Sequence, residues 1–174
     1  MPTLEARGVE LSWTERGEGD RVLLIHETAT GAAAWDPVGK ALADRARAVT
    51  YDRRGWGGSS APPGYQRTTI EEQSEDAAVL IESLGAGPAM LSGAGIGAVI
   101  ALDLTLRRPE LVSGAVLVEP DALALLPEAT EALSDDRRAL EAAVAERDTE
   151  GAVALYLSGR LAAVLVPAAA AAGF

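Results

Sequence analysis

The sequence predicts an α/β protein with a mainly parallel sheet and an antiparallel hairpin at its N-terminus. From residue 21 to residue 120, short apolar runs alternate with segments of helical period, which is the order of βαβ units. Before them, residues 3–17 alternate apolar and polar side chains around Arg7-Gly8, which is the period of half-buried antiparallel strands. The 174 residues are enough for one well-formed core.

The first βαβ unit follows the hairpin. The run "RVLLIHE" is continuously apolar before its polar end, which predicts a central strand buried on both faces. Residues 33–47 place apolar side chains on one helical stripe, and "AVTYD" then predicts a second buried strand. Residues 53–69 are dense in Gly, Ser and Pro and predict a loop.

The same alternation continues to residue 120. Residues 69–85 predict a long helix with one apolar face that ends at a glycine. The run "PAMLSG" predicts the fifth strand, residues 96–110 the next helix, and "VSGAVLVEP" the sixth strand.

The pattern changes after Asp121. Residues 126–148 and 150–165 predict two amphipathic helices with acidic outer faces, and no strand pattern accompanies them. The sequence therefore predicts an α/β core over residues 1–121 and a helical segment over residues 122–174.

Composition and charge argue against several functional classes. The formal charge of −11 disfavours a nucleic-acid partner, and the absence of cysteine removes thiol nucleophiles and thiolate metal sites. One histidine among scattered acids predicts no metal site, and we expect no cofactor. No leader pattern opens the chain, and Pro167 interrupts its longest apolar stretch. We therefore expect a cytoplasmic protein without a membrane span.

The stretch "LSGAGIGA" at residues 91–98 supports two interpretations. Gly93, Gly95 and Ala98 fit the dinucleotide fingerprint, and Glu119 ends the next strand at the distance of a ribose-binding acid. However, that fingerprint belongs after the first strand of its unit, and here earlier strands precede it. Glycines at a strand-to-helix turn are also commonly needed for close packing alone.

The order of the segments decides between these interpretations. "LLIHETATGAAAWDPV", "VTYDRRGWGGSSAP", a helix, "AMLSGAGIGAVIALDLTLRRPELV" and "AVLVEP" resemble the α/β-hydrolase family segment by segment over residues 10–121. The resemblance implies a sheet that stops after its sixth strand, followed by an incomplete helical cap over residues 122–174. It also implies that residues 93–97 form the turn that carries the nucleophile in this family.

The resemblance puts Gly95 at the nucleophile position, where a hydrogen atom replaces the serine hydroxyl. Ser92 lies three residues earlier, inside the strand, and we interpret it as structural. The family's catalytic histidine and acid follow its later strands, which this chain does not contain. Position 95 is therefore expected to be catalytically inactive.

His26 and Glu27 are the remaining candidates for acid–base chemistry. The family places His26 beside the oxyanion hole, and we favour a hydrogen-bonded structural histidine over a proton-transfer role. Glu27 replaces the glycine that usually follows this histidine. Three interpretations of Glu27 are possible, and we favour them in this order: a solvated charge, a partner of Arg53 or Arg54, and a general base.

The expected pocket lies at the C-terminal ends of the strands. The amides of Ile96 and Thr28 are expected to accept a small anion, and Trp35 and Trp56 to line an apolar chamber above them. The resulting hypothesis is a small-molecule-binding, catalytically degenerate relative of serine hydrolases.

Three alternatives stay open. The first is a lyase, isomerase or cyclase of the same fold that transfers protons through His26 or Glu27. The second is an ester hydrolase of which this chain is an altered fragment, and the third is a dinucleotide-binding module. Independently of function, the apolar run "GAVLVE" predicts an exposed sheet edge through which a homodimer forms.

Overall fold

A computed structural model describes residues 1–65, 67–85, 87–121, 134–148 and 150–156 of the chain. The chain divides into two compact units, Met1–Asp121 and Ala122–Phe174. The first unit holds the sheet and the residues predicted to form the site.

The strands of the first unit are β1 (Thr3–Ala6), β2 (Val9–Arg16), β3 (Arg21–Ile25), β4 (Arg47–Tyr51), β5 (Ala89–Ala94) and β6 (Val112–Val118). Its α-helices are α1 (Asp36–Leu42), α2 (Ile70–Ser83) and α3 (Ile96–Arg107), with 3-10 turns at Ala32–Trp35 and Pro109–Leu111. In the second unit, α4 covers Ser134–Ala145 and residues 150–156 are helical. The rest of the two predicted C-terminal helices lies outside the described residues.

The strands lie in the order β1-β2-β4-β3-β5-β6, and this arrangement confirms the predicted fold class. β1 and β2 form the antiparallel hairpin, and β2 is antiparallel to β4. β4, β3, β5 and β6 are parallel, so their carboxyl ends meet at one edge of the sheet. The predicted central strand is indeed central, and Leu23, Leu24 and Ile25 are fully buried.

The helix predicted over residues 33–47 is shorter in the structure. A 3-10 turn precedes α1, which starts next to Pro37 and ends at Leu42. The amides of Arg45 and Ala46 both donate to the carbonyl of Leu42, which closes the helix. Arg47 already pairs with Arg21 in the parallel ladder, so tertiary pairing overrides the helical period.

Helix α2 packs on the sheet through more than its apolar stripe. Thr69 and Glu72 form a reciprocal capping box that fixes where the helix begins. Ala77, Leu80 and Ile81 are buried as predicted, whereas the polar Gln73, Ser74 and Asp76 are buried as well. Buried polar side chains need partners, and Gln73 and Asp76 have theirs in the loop after β4.

Candidate functional site

The carboxyl ends of the parallel strands carry the candidate site. β3 leads into residues 26–31, β4 into residues 52–60, β5 into Gly95, and β6 into residues 119–121. Ligands of open α/β sheets bind at such ends because several strand-to-helix connections meet there.

Gly95 forms the turn between β5 and α3 in a conformation that disfavours any side chain. Its backbone angles are φ 54° and ψ −120°, and only glycine adopts this region without strain. The turn is tied down because the Gly95 amide donates to the Val118 carbonyl at 3.0 Å. The Gly95 carbonyl in turn accepts from the Asp121 amide at 3.3 Å.

Two neighbouring glycines permit close packing of backbone on backbone. A β-carbon at Gly97 would lie 2.3 Å from the Ile25 carbonyl oxygen, and one at Gly93 would lie 2.2 Å from the Gly97 carbonyl oxygen. Neither position can therefore carry a side chain while α3 keeps its place on the sheet. Packing alone accounts for Gly93, the first glycine of the dinucleotide fingerprint, and for Gly97.

Two carboxylates lie against the α-carbon of Gly95. A β-carbon at this residue would be 2.8 Å from Oε2 of Glu27 and 3.2 Å from Oδ2 of Asp121. The turn at the start of α3 is thus surrounded by negative charge, which the positive end of the helix dipole stabilises. The sequence pattern placed Glu27 in a neighbouring loop and did not indicate this contact.

His26 is buried and holds both ring nitrogens in hydrogen bonds to backbone. Nδ1 donates to the Glu27 carbonyl at 2.8 Å, and Nε2 accepts from the Arg53 amide at 3.0 Å. Burial, with the nearby Arg53 charge, lowers the pKa of His26 from 6.5 to about 4. This geometry favours the structural interpretation, since both ring nitrogens are engaged by backbone groups.

Arg53 and Trp56 complete the packing around His26. The Arg53 guanidinium donates to Oε1 of Gln73 at 2.6 Å and to the Glu27 carbonyl at 3.2 Å. It also lies 5.2 Å from the ring centroid of Trp56, while that ring meets His26 edge-on at 5.9 Å. Trp56 is thereby fixed at the strand ends while part of its surface is exposed.

The other predicted pocket residues lie on three different segments. Ile96 is the first residue of α3, so its amide has no acceptor within the helix. Thr28 follows Glu27 and is half-buried. Trp35 ends the 3-10 turn before α1, and in the described part of the chain no ring contact joins it to His26 or Trp56.

Asp52 ties the two loops together. Its Oδ1 accepts from the Ala32 amide at 2.8 Å and its Oδ2 from the Gly58 amide at 2.9 Å. A carboxylate that accepts two backbone amides is held in one orientation. The role of Asp52 in these contacts is structural.

A buried ion pair joins the loop after β4 to α2. Nε and Nη2 of Arg54 each donate to one oxygen of Asp76 at 2.6 Å, and both side chains are almost fully buried. Burial raises the pKa of Asp76, and the Arg54 guanidinium opposes the rise. The sequence pattern did not indicate this pair, although Asp76 lies four residues before Leu80 and hence on the apolar stripe of α2.

The described residues hold no group of three or more His, Asp or Glu side chains with the geometry of a metal site. None of their helices combines the length and the apolar character that a bilayer crossing needs.

With this geometry in place, comparison with known proteins identifies the class. The family described as the alpha/beta hydrolase fold matches residues 20–151, which is most of the chain. The chain therefore belongs to the α/β-hydrolase-fold family.

Individual relatives agree with this assignment. The uncharacterized hydrolase YraK of Bacillus subtilis (strain 168) is 36% identical over 124 residues, which are 71% of this chain and 46% of that protein. A thermophilic esterase from Thermogutta terrifontis superposes with a TM-score of 0.68 and 29% identity, over 81% of this chain and 51% of that one. An alpha/beta hydrolase from Sphaerobacter thermophilus shares the fold, with a TM-score of 0.74 and 24% identity over 90% of this chain and 59% of that one. The chain spans about half the length of the relatives it matches.

Proposed function

We propose that this chain is a small-molecule-binding member of the α/β-hydrolase-fold family that does not cleave esters through a serine. The observation that carries the proposal is the turn between β5 and α3, where φ of 54° and ψ of −120° fall on a glycine. Nucleophilic acyl transfer needs a hydroxyl at such a bend and a base within hydrogen-bonding reach. Gly95 has no side chain, and the ring nitrogens of His26 are both engaged elsewhere.

The charge at the turn sets the type of ligand. The amides of Ile96 and Thr28 suggested an anion, but the carboxylates of Glu27 and Asp121 lie beside the same turn. Bringing a further anion against two carboxylates costs Coulombic energy, whereas a hydrogen-bond donor gains it. The proposed ligand is therefore a neutral small molecule whose polar group donates hydrogen bonds.

Proton transfer by Glu27 is a second candidate function. It is favoured by the position of Oε2, which is 2.8 Å from where a β-carbon at Gly95 would lie. A carboxylate there can take a proton from a carbon or oxygen acid bound at the turn. Loss of turnover of such an acid in Glu27→Gln, with ligand binding retained, is the result that separates this candidate from pure binding.

Binding is tested through the fluorescence of Trp56, which lies against His26 at the strand ends. The chain is titrated with phenylacetamide, which is neutral and donates hydrogen bonds, and in parallel with the phenylacetate anion. We expect saturable quenching with the amide and about tenfold weaker binding of the anion, because the carboxylates repel it. Trp56→Phe is the control that assigns the signal.

Equal binding of the two compounds contradicts the proposed ligand type. An absence of saturable binding for both compounds contradicts the binding proposal for this chain.

A further inference from the structure

We propose that Glu27 and Gly95 form a coupled pair in which the Glu27 side chain occupies the space that a side chain at position 95 would need. The inference concerns why the turn carries no nucleophile, so its chemical meaning rests on the proposed function. The coupling itself is a matter of packing and can be measured without any ligand.

The crowding at Gly95 is of two kinds. A β-carbon there would lie 2.8 Å from Oε2 of Glu27, and a terminal carboxylate can rotate away from such a contact. It would also lie 3.0 Å from the β-carbon of Glu27, which no rotation of the Glu27 side chain can move. The second contact is therefore relieved only if one of the two backbone segments shifts by a few tenths of an ångström.

The backbone at Glu27 is held in place. Its carbonyl accepts from Nδ1 of His26 at 2.8 Å, from Oγ1 of Thr30 at 3.1 Å and from Nη2 of Arg53 at 3.2 Å. Moving this segment away from the turn would disturb three hydrogen bonds, two of them from buried side chains.

The backbone at Gly95 is held as firmly. Its amide donates to Val118, and its carbonyl accepts from Asp121, from Ala98 at 3.1 Å and from Val99 at 3.4 Å. These bonds anchor the turn to the end of β6 and to the first turn of α3. Since both segments are held by hydrogen bonds, a side chain at position 95 costs more when position 27 also carries one.

The pair has a consequence for the site. A glycine at position 27 would remove the two nearest of these contacts, and the Asp121 carboxylate at 3.2 Å would remain beside a side chain at position 95. Glu27 fills the space beside position 95 and places its carboxylate there. Glu27 therefore raises the cost of a side chain at position 95.

A double-mutant cycle in stability tests the coupling. Urea unfolding is measured for the native chain, Gly95→Ala, Glu27→Gly and the double variant. We expect Gly95→Ala to lower the folding equilibrium constant by about tenfold more in the native background than in the Glu27→Gly background. Glu27→Ala keeps the β-carbon and relieves only the carboxylate contact. The cost of Gly95→Ala in the Glu27→Ala background is therefore expected to lie between its costs in the native and Glu27→Gly backgrounds.

Gly8 provides the matched control. It too has a positive φ, of 82°, but a β-carbon there would meet nothing within 4 Å. The cost of Gly8→Ala therefore reports backbone strain alone and is expected to be the same with Glu27 or with glycine at position 27.

Three outcomes decide the proposal. Failure of Gly95→Ala to fold, with folding restored in the double variant, supports it as strongly as the measured coupling. An equal cost of Gly95→Ala in the native and Glu27→Gly backgrounds overturns the proposal. Failure of both Gly95→Ala and the double variant to fold also overturns it, because backbone strain at the turn then outweighs crowding. None of these outcomes depends on ligand binding or ester cleavage, so this inference and the proposed function fail separately.

Discussion

At the scale of single residues, His26 is the clearest case of a side chain whose surroundings decide its role. Its ring bridges the Glu27 carbonyl and the Arg53 amide, so it connects the segment after β3 to the segment after β4. Burial keeps the ring neutral, and protonation would convert the accepting Nε2 into a donor that faces another donor. His26 therefore fixes the two loops that border the turn at Gly95.

This bridge predicts a dependence of stability on pH. The pKa of His26 is about 4 in the folded protein and 6.5 ordinarily, so between these values the unfolded chain binds a proton that the folded chain does not. The free energy of unfolding is expected to fall by about 2 kcal/mol from pH 7 to pH 5 through this residue. Urea unfolding at both pH values measures the fall.

His26→Asn removes the titrating group and is the comparison for that experiment. The sequence has one histidine. The variant should therefore lose the fall in the free energy of unfolding that His26 causes between pH 7 and pH 5. Retention of the same slope between pH 7 and pH 6 would show that His26 is not its source.

The spacing of the glycine motif predicted that Gly95 lies at a strand-to-helix turn, and the structure places it there. The surroundings of its α-carbon were not predictable. Glu27 and Asp121 reach it from the ends of two other strands, and no local pattern encodes which side chains meet across a sheet edge.

At the scale of elements, the loop after β4 is held to helix α2 by a buried ion pair. Arg54 and Asp76 make two parallel hydrogen bonds, and Glu72 adds a third charge at 3.5 Å from a more exposed position. This attachment sets where residues 52–60 lie relative to the strand ends, and with them Trp56.

Removing one partner of this pair is expected to be costly. Asp76→Asn leaves the buried Arg54 charge without its carboxylate and should lower the free energy of unfolding by about 3–5 kcal/mol. Chemical denaturation at pH 7 measures the loss.

Glu72→Gln is the matched control for Asp76→Asn. It keeps the capping box with Thr69 and removes a charge that is 43% exposed, so its cost should be much smaller than that of Asp76→Asn. Similar losses of stability for Asp76→Asn and Glu72→Gln would mean that burial does not determine how much the Arg54–Asp76 pair contributes to the free energy of unfolding.

The elements themselves were predictable where local pattern and tertiary structure agree. The hairpin, the apolar strands and α2 follow from period and capping residues. The predicted helix over residues 33–47 was too long because pairing of Arg47 with Arg21 begins β4 within it. Register across a sheet depends on residues far apart in sequence, and helical period cannot encode it.

At the scale of the whole molecule, β6 forms one edge of the sheet in the described residues. The strand "VSGAVLV" carries no charge and no proline, whereas β1 at the other edge contains Glu5. Val116 is 53% exposed and Val118 is 44% exposed. Such an edge favours pairing with a second strand.

We therefore predict a homodimer formed through β6. Light scattering over a concentration series should show twice the monomer mass, and Val116→Lys should raise the dissociation constant by about tenfold or more. Leu106→Lys, at an exposed position on α3, is the control and should leave the dimer intact. A monomer at all concentrations, or equal effects of the two variants, counts against pairing through this edge.

The central claim is that the turn between β5 and α3 carries no activated nucleophile, and covalent labelling tests it most directly. The 174-residue chain is incubated with a fluorophosphonate, which phosphonylates activated serines, and with 4-nitrophenyl acetate, and its intact mass is recorded. The account predicts an unchanged mass and nitrophenol release at the rate of buffer alone. One stoichiometric adduct on a serine such as Ser92, accompanied by turnover above the blank, would contradict it.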